Sequence, residues 1–343
     1  MHRIFLNLPV HRPKRKYVKK SKTPACTWER TENFNPKIGS CELQAEFHHP
    51  DLHPHLSPFK ILKLLLPAEI LNIIITESGN YVEQCRRKDR KSFKGWAPFD
   101  LSELWVFLGL NILMGIVDKP DNRDYWARDP LLFTPFFGET MPRDRFELIL
   151  RSLHFTNNED ETNAHSQNKF KKLGNFFPKL LETFNNFITP GAFVCIDESL
   201  VKFKGRLSIK QYIPSKRARF GLKFFMLVDC QTKFVVRVLP YEGKETKLDN
   251  SISQKDFGFG GSVCVTLMKG LFNKCRRLVV DNFFSSPTLA SYLVNLSTGL
   301  LGTVKLNRTN MPKVHPEKFV KGKPKWEAGE VAVYSNESMQ VVR

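Results

Sequence analysis

Apolar positions along this chain follow two regimes. From about residue 67 to 190 they recur at helical spacing, and from residue 193 onward they gather into short runs bounded by polar residues. Phe146, Ile149, Leu150 and Leu153 fall at i, i+3, i+4 and i+7, and Phe177, Leu180, Leu181, Phe184 and Ile188 repeat that spacing. Each set lines one face of a helix, and these aromatic stripes read as core rather than as base-stacking platforms. Asp100 with Glu103 three residues on predicts a helix start. The stretch 101–117 after it is apolar nearly all round, which predicts a helix buried at the centre of its domain. Another helix opens at residues 142–146, and the polar stretch 157–168 predicts a loop.

The second regime carries the candidate chemistry. Phe193, Val194, Cys195 and Ile196 lead into Asp197, and Leu278, Val279 and Val280 lead into Asp281. Short apolar runs of this kind predict strands buried on both faces. An acid that ends such a strand sits at the carboxyl edge, where open sheets place their chemistry. Two such carboxylates on neighbouring strands can share a divalent metal and activate an oxygen nucleophile against a phosphodiester. A lone aspartate after a strand also serves as a turn residue or helix cap, so the pair by itself leaves both readings open. Residues 222–228 and 234–239 predict a hairpin, with Asp229 in its turn. A helical crossover over 262–275, a helix over 286–296 and a strand over 300–306 follow.

Composition adds a partner class. The 343 residues carry a formal charge of +19 and a pI near 9.6, which points to nucleic acid, with an anionic membrane surface as the weaker alternative. No run of about 18 uncharged apolar residues argues for a membrane span, and the apolar patch at 1–10 is too short for a signal segment. The run 11–22 holds Arg12, Lys14, Arg15, Lys16, Lys19, Lys20 and Lys22, and reads as a nuclear import signal or a phosphate-binding arm. Residues 41–58 read as loop or linker. The seven cysteines form no C-x-x-C pair, which suggests reduced thiols in an intracellular protein. Without paired cysteines nearby, His48, His49, His53 and His55 read as loop histidines, and no zinc site is expected in this chain.

Ordered blocks of residues then become recognisable. Ile196-Asp197-Glu198-Ser199-Leu200, Phe203-Lys204-Gly205-Arg206, Gln211-Tyr212-Ile213-Pro214-Ser215-Lys216, Phe220-Gly221-Leu222-Lys223 and Val280-Asp281-Asn282-Phe283-Phe284-Ser285-Ser286 resemble the catalytic core of piggyBac-type transposases. So do Gly302-Thr303-Val304-Lys305 with Asn307-Arg308, and upstream Leu104-Trp105, Tyr125-Trp126, Arg145-Phe146 and Leu153-His154-Phe155. The likeness covers roughly residues 60–343, most strongly to the domesticated, piggyBac-derived proteins of animal genomes.

The resemblance implies an α/β protein with a ribonuclease-H-like (DDE transposase) catalytic core, preceded by a mainly α-helical domain and a disordered basic N-terminus. The implied boundaries are a tail over 1–56, a helical dimerisation and DNA-binding domain over 57–190, the first part of the core over 191–310, and the opening of an insertion domain over 311–343. In that insertion, 326–331 and 339–343 are expected to be strands. Asp197 and Asp281 match the family's first and second catalytic, metal-binding aspartates, with Mg2+ or Mn2+ as the expected cofactor. Lys204, Arg206, Lys210, Lys216, Arg217 and Arg219 lie between the first strand and the hairpin, where their charge suits a DNA backbone. The implied partner is double-stranded DNA, with a homodimer compatible with the family, and the implied location is the nucleus. The family's third aspartate has no counterpart. After Asp281 the acids are Glu317, Glu327, Glu330 and Glu337, so the chain reads as C-terminally truncated: a fragment, or a product that ends early. Two classes compete on this evidence, a cut-and-paste transposase and a non-catalytic nuclear DNA-binding protein descended from one. A structure-selective nuclease on the same fold is a third reading.

Overall fold

The computed structural model describes residues 27–31, 34–35, 37–160, 168–214, 216–217, 219–313, 318–320, 323–325, 329 and 331–342. The basic run with Arg12, Lys14, Arg15, Lys16, Lys19, Lys20 and Lys22 lies outside them. Two compact units emerge, one over 37–305 and one from 1–36 together with 306–343.

In the larger unit the helical spacing becomes helices α1 (Pro58–Leu65), α2 (Ala68–Lys88), α3 (Leu101–Leu113), α4 (Pro135–Thr140), α5 (Arg143–Ser152) and α6 (Phe176–Phe187). Asp100 caps α3 by accepting from the Glu103 amide at 2.8 Å, which satisfies one of the amides left free at the helix start. Leu71, Ile74, Leu104, Phe107, Leu110, Phe146 and Ile149 of α2, α3 and α5 share one core, whereas Leu150, expected in the same stripe of α5, is exposed. Arg145 fastens α5 to the start of α3, with Nε 2.6 Å and Nη2 2.7 Å from the two Glu103 carboxylate oxygens. Two expectations need correction. Helix α3 is not buried all round, because Val106 and Ile112 are exposed while Leu104, Phe107 and Leu110 face inward. It also ends at Leu113, and residues 114–117 close in a tight turn in which the Ile116 and Val117 amides both donate to the Leu113 carbonyl.

A six-stranded mixed sheet follows, built from β3 (Phe193–Lys202), β4 (Gln211–Tyr212), β5 (Phe220–Asp229), β6 (Val235–Pro240), β7 (Arg277–Val280) and β8 (Gly299–Gly302). Its order is β4-β5-β3-β7-β8, with β6 also paired to β5. β5 and β6 form the expected hairpin, and β7 lies parallel to both β3 and β8. Helices α7 (Gln254–Met268) and α8 (Pro287–Asn295) supply the crossovers. α7 begins eight residues before the expected start and kinks at Gly258, whose φ of +68° is open to glycine at no steric cost. Val194, Ile196, Phe225, Leu227, Leu278 and Val280 pack against Val263, Cys264 and Leu267 of α7 and Leu289 and Leu293 of α8. Each such side chain contributes about 1.5–3 kcal/mol by leaving water. A smaller cluster of Phe170, Ile209 and Phe224 is joined by Leu173, Phe177 and Met226.

The segment between 41 and 58 is mostly irregular, as expected, apart from one two-residue strand that the sequence does not announce. β1 (Glu46–Phe47) pairs antiparallel with β2 (Ile188–Thr189), and the Ala192 amide donates to the Leu43 carbonyl at 2.9 Å. Phe47 makes this worthwhile energetically, since its ring meets Phe187 and Phe234 edge-on at centroid distances of 5.9 and 6.4 Å.

In the smaller unit, β9 (Lys318–Val320) pairs with β10 (Lys323–Lys325) and β11 (Val333–Ser335) with β12 (Gln340–Val342), both antiparallel. Ser335 also bridges Glu29, and the Trp28 indole donates to the Asn310 carbonyl at 2.8 Å. The strand expected at 326–331 falls largely outside the described residues, and the one expected at 339–343 corresponds to β12.

Candidate functional site

β3 and β7 run parallel with Ile196 opposite Val280, and an aspartate follows each of these residues, Asp197 within β3 and Asp281 just past the end of β7. Neighbouring strands lie about 4.8 Å apart, which makes Asp197 and Asp281 direct neighbours. Both are exposed, whereas Val194 and Ile196 just before Asp197 are buried. The expectation that both acids end their strands holds only for Asp281. β3 continues to Lys202 because Glu198 to Lys202 keep pairing with β5, down to Gly221. Nor is β3 buried on both faces, since Phe193 is exposed and Cys195 half-buried. The result is a notch where β7 stops and β3 runs on.

Each carboxylate is oriented locally. Asp197 Oδ1 accepts from the Glu198 amide at 2.7 Å. Asp281 Oδ1 accepts from the Phe283 amide at 2.9 Å, and the Asp281 carbonyl receives the Phe284 and Ser285 amides. That turn is pressed against α7, where a side chain at Gly260 would lie 2.6 Å from the Phe283 carbonyl.

Lys223 joins the pair. It comes from β5, with Nζ 4.7 Å from the Phe225 ring centroid and 5.0 Å from that of Phe283. Burial among these rings lowers the ammonium's pKa; Glu198 opposes that shift, Lys216 adds to it, and Asp197 and Asp281 oppose it. Lys223 is thus a site residue beyond those expected from the sequence. A lysine inside the apolar run 222–228 was the available signal.

The six candidate DNA-contacting cations lie on the excursion between β3 and β5, beyond the edge to which β3 and β7 both point. Lys204, Arg206, Arg217 and Arg219 are exposed. Lys210 and Lys216 are half-buried and engaged: Lys210 Nζ donates to the Gly205 carbonyl at 3.0 Å, and Lys216 Nζ lies 3.4 Å from Glu198 Oε1. The structure thus divides the set into four solvent-facing cations and two tied ones. Among the described residues, no three His, Cys, Asp or Glu side chains converge closely enough to hold a metal ion. Asp197 and Asp281 offer two hard oxygen donors, which suits one divalent ion that keeps several waters.

The family model for the IS4 transposases matches residues 57–343. This chain belongs to that family, in its piggyBac-type branch. Human PiggyBac transposable element-derived protein 3 is 29% identical over 252 residues, covering 73% of this chain and 40% of the relative. Human PiggyBac transposable element-derived protein 2 is 26% identical over 320 residues, covering 91% of this chain and 50% of the relative. The chain therefore spans half or less of the length of these relatives. Among solved structures, a piggyBac transposase synaptic complex with hairpin DNA superposes with a TM-score of 0.68 at 23% identity, over 89% of this chain and 63% of that one. This likeness gives the piggyBac-type chain its mixed α/β fold.

Proposed function

We propose that this chain binds double-stranded DNA and descends from a metal-dependent cut-and-paste transposase with a ribonuclease-H-like core. Asp197 and Asp281 are its metal-holding carboxylates. The observation that carries this reading is the parallel register of β3 and β7, which makes the two acids neighbours at the edge where the basic excursion begins. Mg2+ or Mn2+ held there supplies charge neutralisation for phosphodiester chemistry. Lys204, Arg206, Arg217 and Arg219 hold the DNA backbone beside the notch, and Lys210 and Lys216 brace the loop that presents them. Lys223 places a positive charge next to the carboxylates and lowers their mutual repulsion. The nucleus is the compartment this function requires, and a homodimer fits it.

A second reading, a non-catalytic nuclear DNA-binding protein, is favoured by one observation: no third carboxylate joins Asp197 and Asp281 among the described residues. A two-metal site needs more anionic ligands than two. The 343-residue chain on its own is therefore expected to bind DNA without cutting it. Purified protein incubated with Mg2+ or Mn2+ and a duplex carrying piggyBac-type ends tests both parts. Binding that weakens steeply with salt, without nicking, is the expected result. Nicking abolished by Asp197→Ala would restore the enzyme reading, salt-independent binding would overturn the electrostatic mode, and no duplex binding at low salt would refute the DNA-binding reading.

A further inference from the structure

A feature unrelated to the carboxylates lies at the opposite end of β7. The segment after residue 37 is strapped across the start of the sheet by successive contacts. The Gly39 carbonyl accepts from Arg277 Nη2 at 2.9 Å, the Leu43 carbonyl accepts from the Ala192 amide, and β1 pairs with β2. Within this strap Cys41 Sγ lies 2.6 Å from Cys275 Sγ and 3.5 Å from the Lys274 carbonyl. Both thiols are partly exposed.

The partner turn is held firmly. Arg276 is buried, and its guanidinium donates to the Pro190, Gly191 and Leu271 carbonyls at 2.8–3.1 Å. Cys275 itself sits at a φ of +49°, a left-handed conformation that glycine or asparagine adopts more readily. The two sulfurs are thus brought face to face by elements fixed independently of them: a hydrogen-bonded strap and a turn anchored by a buried arginine. Preorganisation of this kind raises the effective concentration of one thiol at the other and favours a disulfide over two mixed adducts.

We propose that Cys41 and Cys275 are a redox modification site, forming a reversible disulfide that locks the strap over 39–48 onto the entry to β7. The oxidant is a low-molecular-weight disulfide of the glutathione type. One protein thiolate attacks a sulfur of that disulfide and expels one small thiol. The second protein thiolate then attacks the protein sulfur of the mixed disulfide and expels the other. The protein pair loses two electrons and two protons, and the small disulfide is reduced to two thiols. Excess small thiol reverses both steps. This changes the expectation drawn from cysteine spacing, which treated the thiols as independently reduced. Sequence separation hid the pair, since 234 positions part the two residues.

The test equilibrates the full chain in glutathione buffers from reducing to oxidising, blocks remaining thiols with N-ethylmaleimide, and maps cross-links by peptide mass spectrometry. A Cys41–Cys275 linked peptide should rise with oxidation and vanish on adding dithiothreitol. Limited proteolysis within 39–48 should slow several-fold in the oxidised form. Cys41→Ser should remove both effects while leaving the circular dichroism spectrum unchanged. Since Cys41 lies in an extended, half-exposed segment, that variant is expected to fold even if Cys275→Ser does not. Alkylation of both thiols across the whole redox range, or cross-links that do not join Cys41 to Cys275, would overturn the proposal.

Discussion

Replacing Asp229 by alanine should destabilise the larger unit by about 3–4 kcal/mol, although Asp229 lies in a hairpin turn where a solvated acid would be expected. Its carboxylate is buried and works as an internal staple. Oδ1 accepts from the Gly191 amide at 2.9 Å, and Oδ2 accepts from the Thr232 amide at 2.7 Å and the Thr232 hydroxyl at 2.8 Å. One side chain thus ties the β5–β6 turn to the residues that start β3, the strand bearing Asp197. Alanine leaves two backbone amides without their acceptor, each worth about 1–3 kcal/mol when buried, and the hydroxyl can turn elsewhere. Asparagine keeps one acceptor and should lose roughly half as much. Burial alone would raise this carboxyl's pKa, but hydrogen bonds from Thr232, Gly191 and Gln231 outweigh it and hold the pKa below the usual value. A depressed folded-state pKa means the stabilisation is complete above the unfolded carboxyl value of about 3.9 and fades as pH falls through it toward the folded value. Urea unfolding followed by circular dichroism between pH 7 and pH 3 measures both effects. The alanine variant should show a lower midpoint at pH 7, an unchanged m-value, and a shallower loss of stability on acidification than the parent. A loss under about 1 kcal/mol at pH 7, or an acid dependence identical to the parent's, would refute the staple.

Gly302→Ala should cost about 2–4 kcal/mol, because a β-carbon there would lie 1.9 Å from the Val280 carbonyl at a φ of +154°. Gly299→Ala, whose nearest neighbour is the flexible Arg277 side chain at 3.2 Å, should cost far less; equal effects in thermal melts would rule this out. Lys223→Met removes a cation beside Asp197 and Asp281, so Mn2+ measured by calorimetry should bind about three- to tenfold more tightly, and weaker binding would mean the lysine supports the site some other way. Replacing Lys204, Arg206, Arg217 and Arg219 together by alanine should reduce the slope of log affinity for duplex DNA against log salt by about three to four if each neutralises one phosphate. An unchanged slope in fluorescence anisotropy would place the DNA elsewhere.

Much of this chain was legible before folding. Phe146 and Ile149 of α5, the α6 stripe as far as Phe184, the Asp100 cap, the β5–β6 hairpin and the two acid-bearing strands all follow from local rules, because burial imposes a period of 3.6 on helices and 2 on strands. The acids stood out because each follows an apolar run, and the ordered motifs pointed to the family before any geometry. Periodicity says nothing, however, about which strand lies beside which. The order β5-β3-β7 and the register of Ile196 with Val280 make Asp197 and Asp281 neighbours, extend β3 beyond Asp197, and carry Lys223 in from β5. The strap over 39–48 read as loop because two paired residues are too few to show a pattern, and Cys41 meets Cys275 only because that strap crosses the start of β7. Local burial patterns determined the elements; long-range pairing, which closes large loops in the chain, decided which side chains meet.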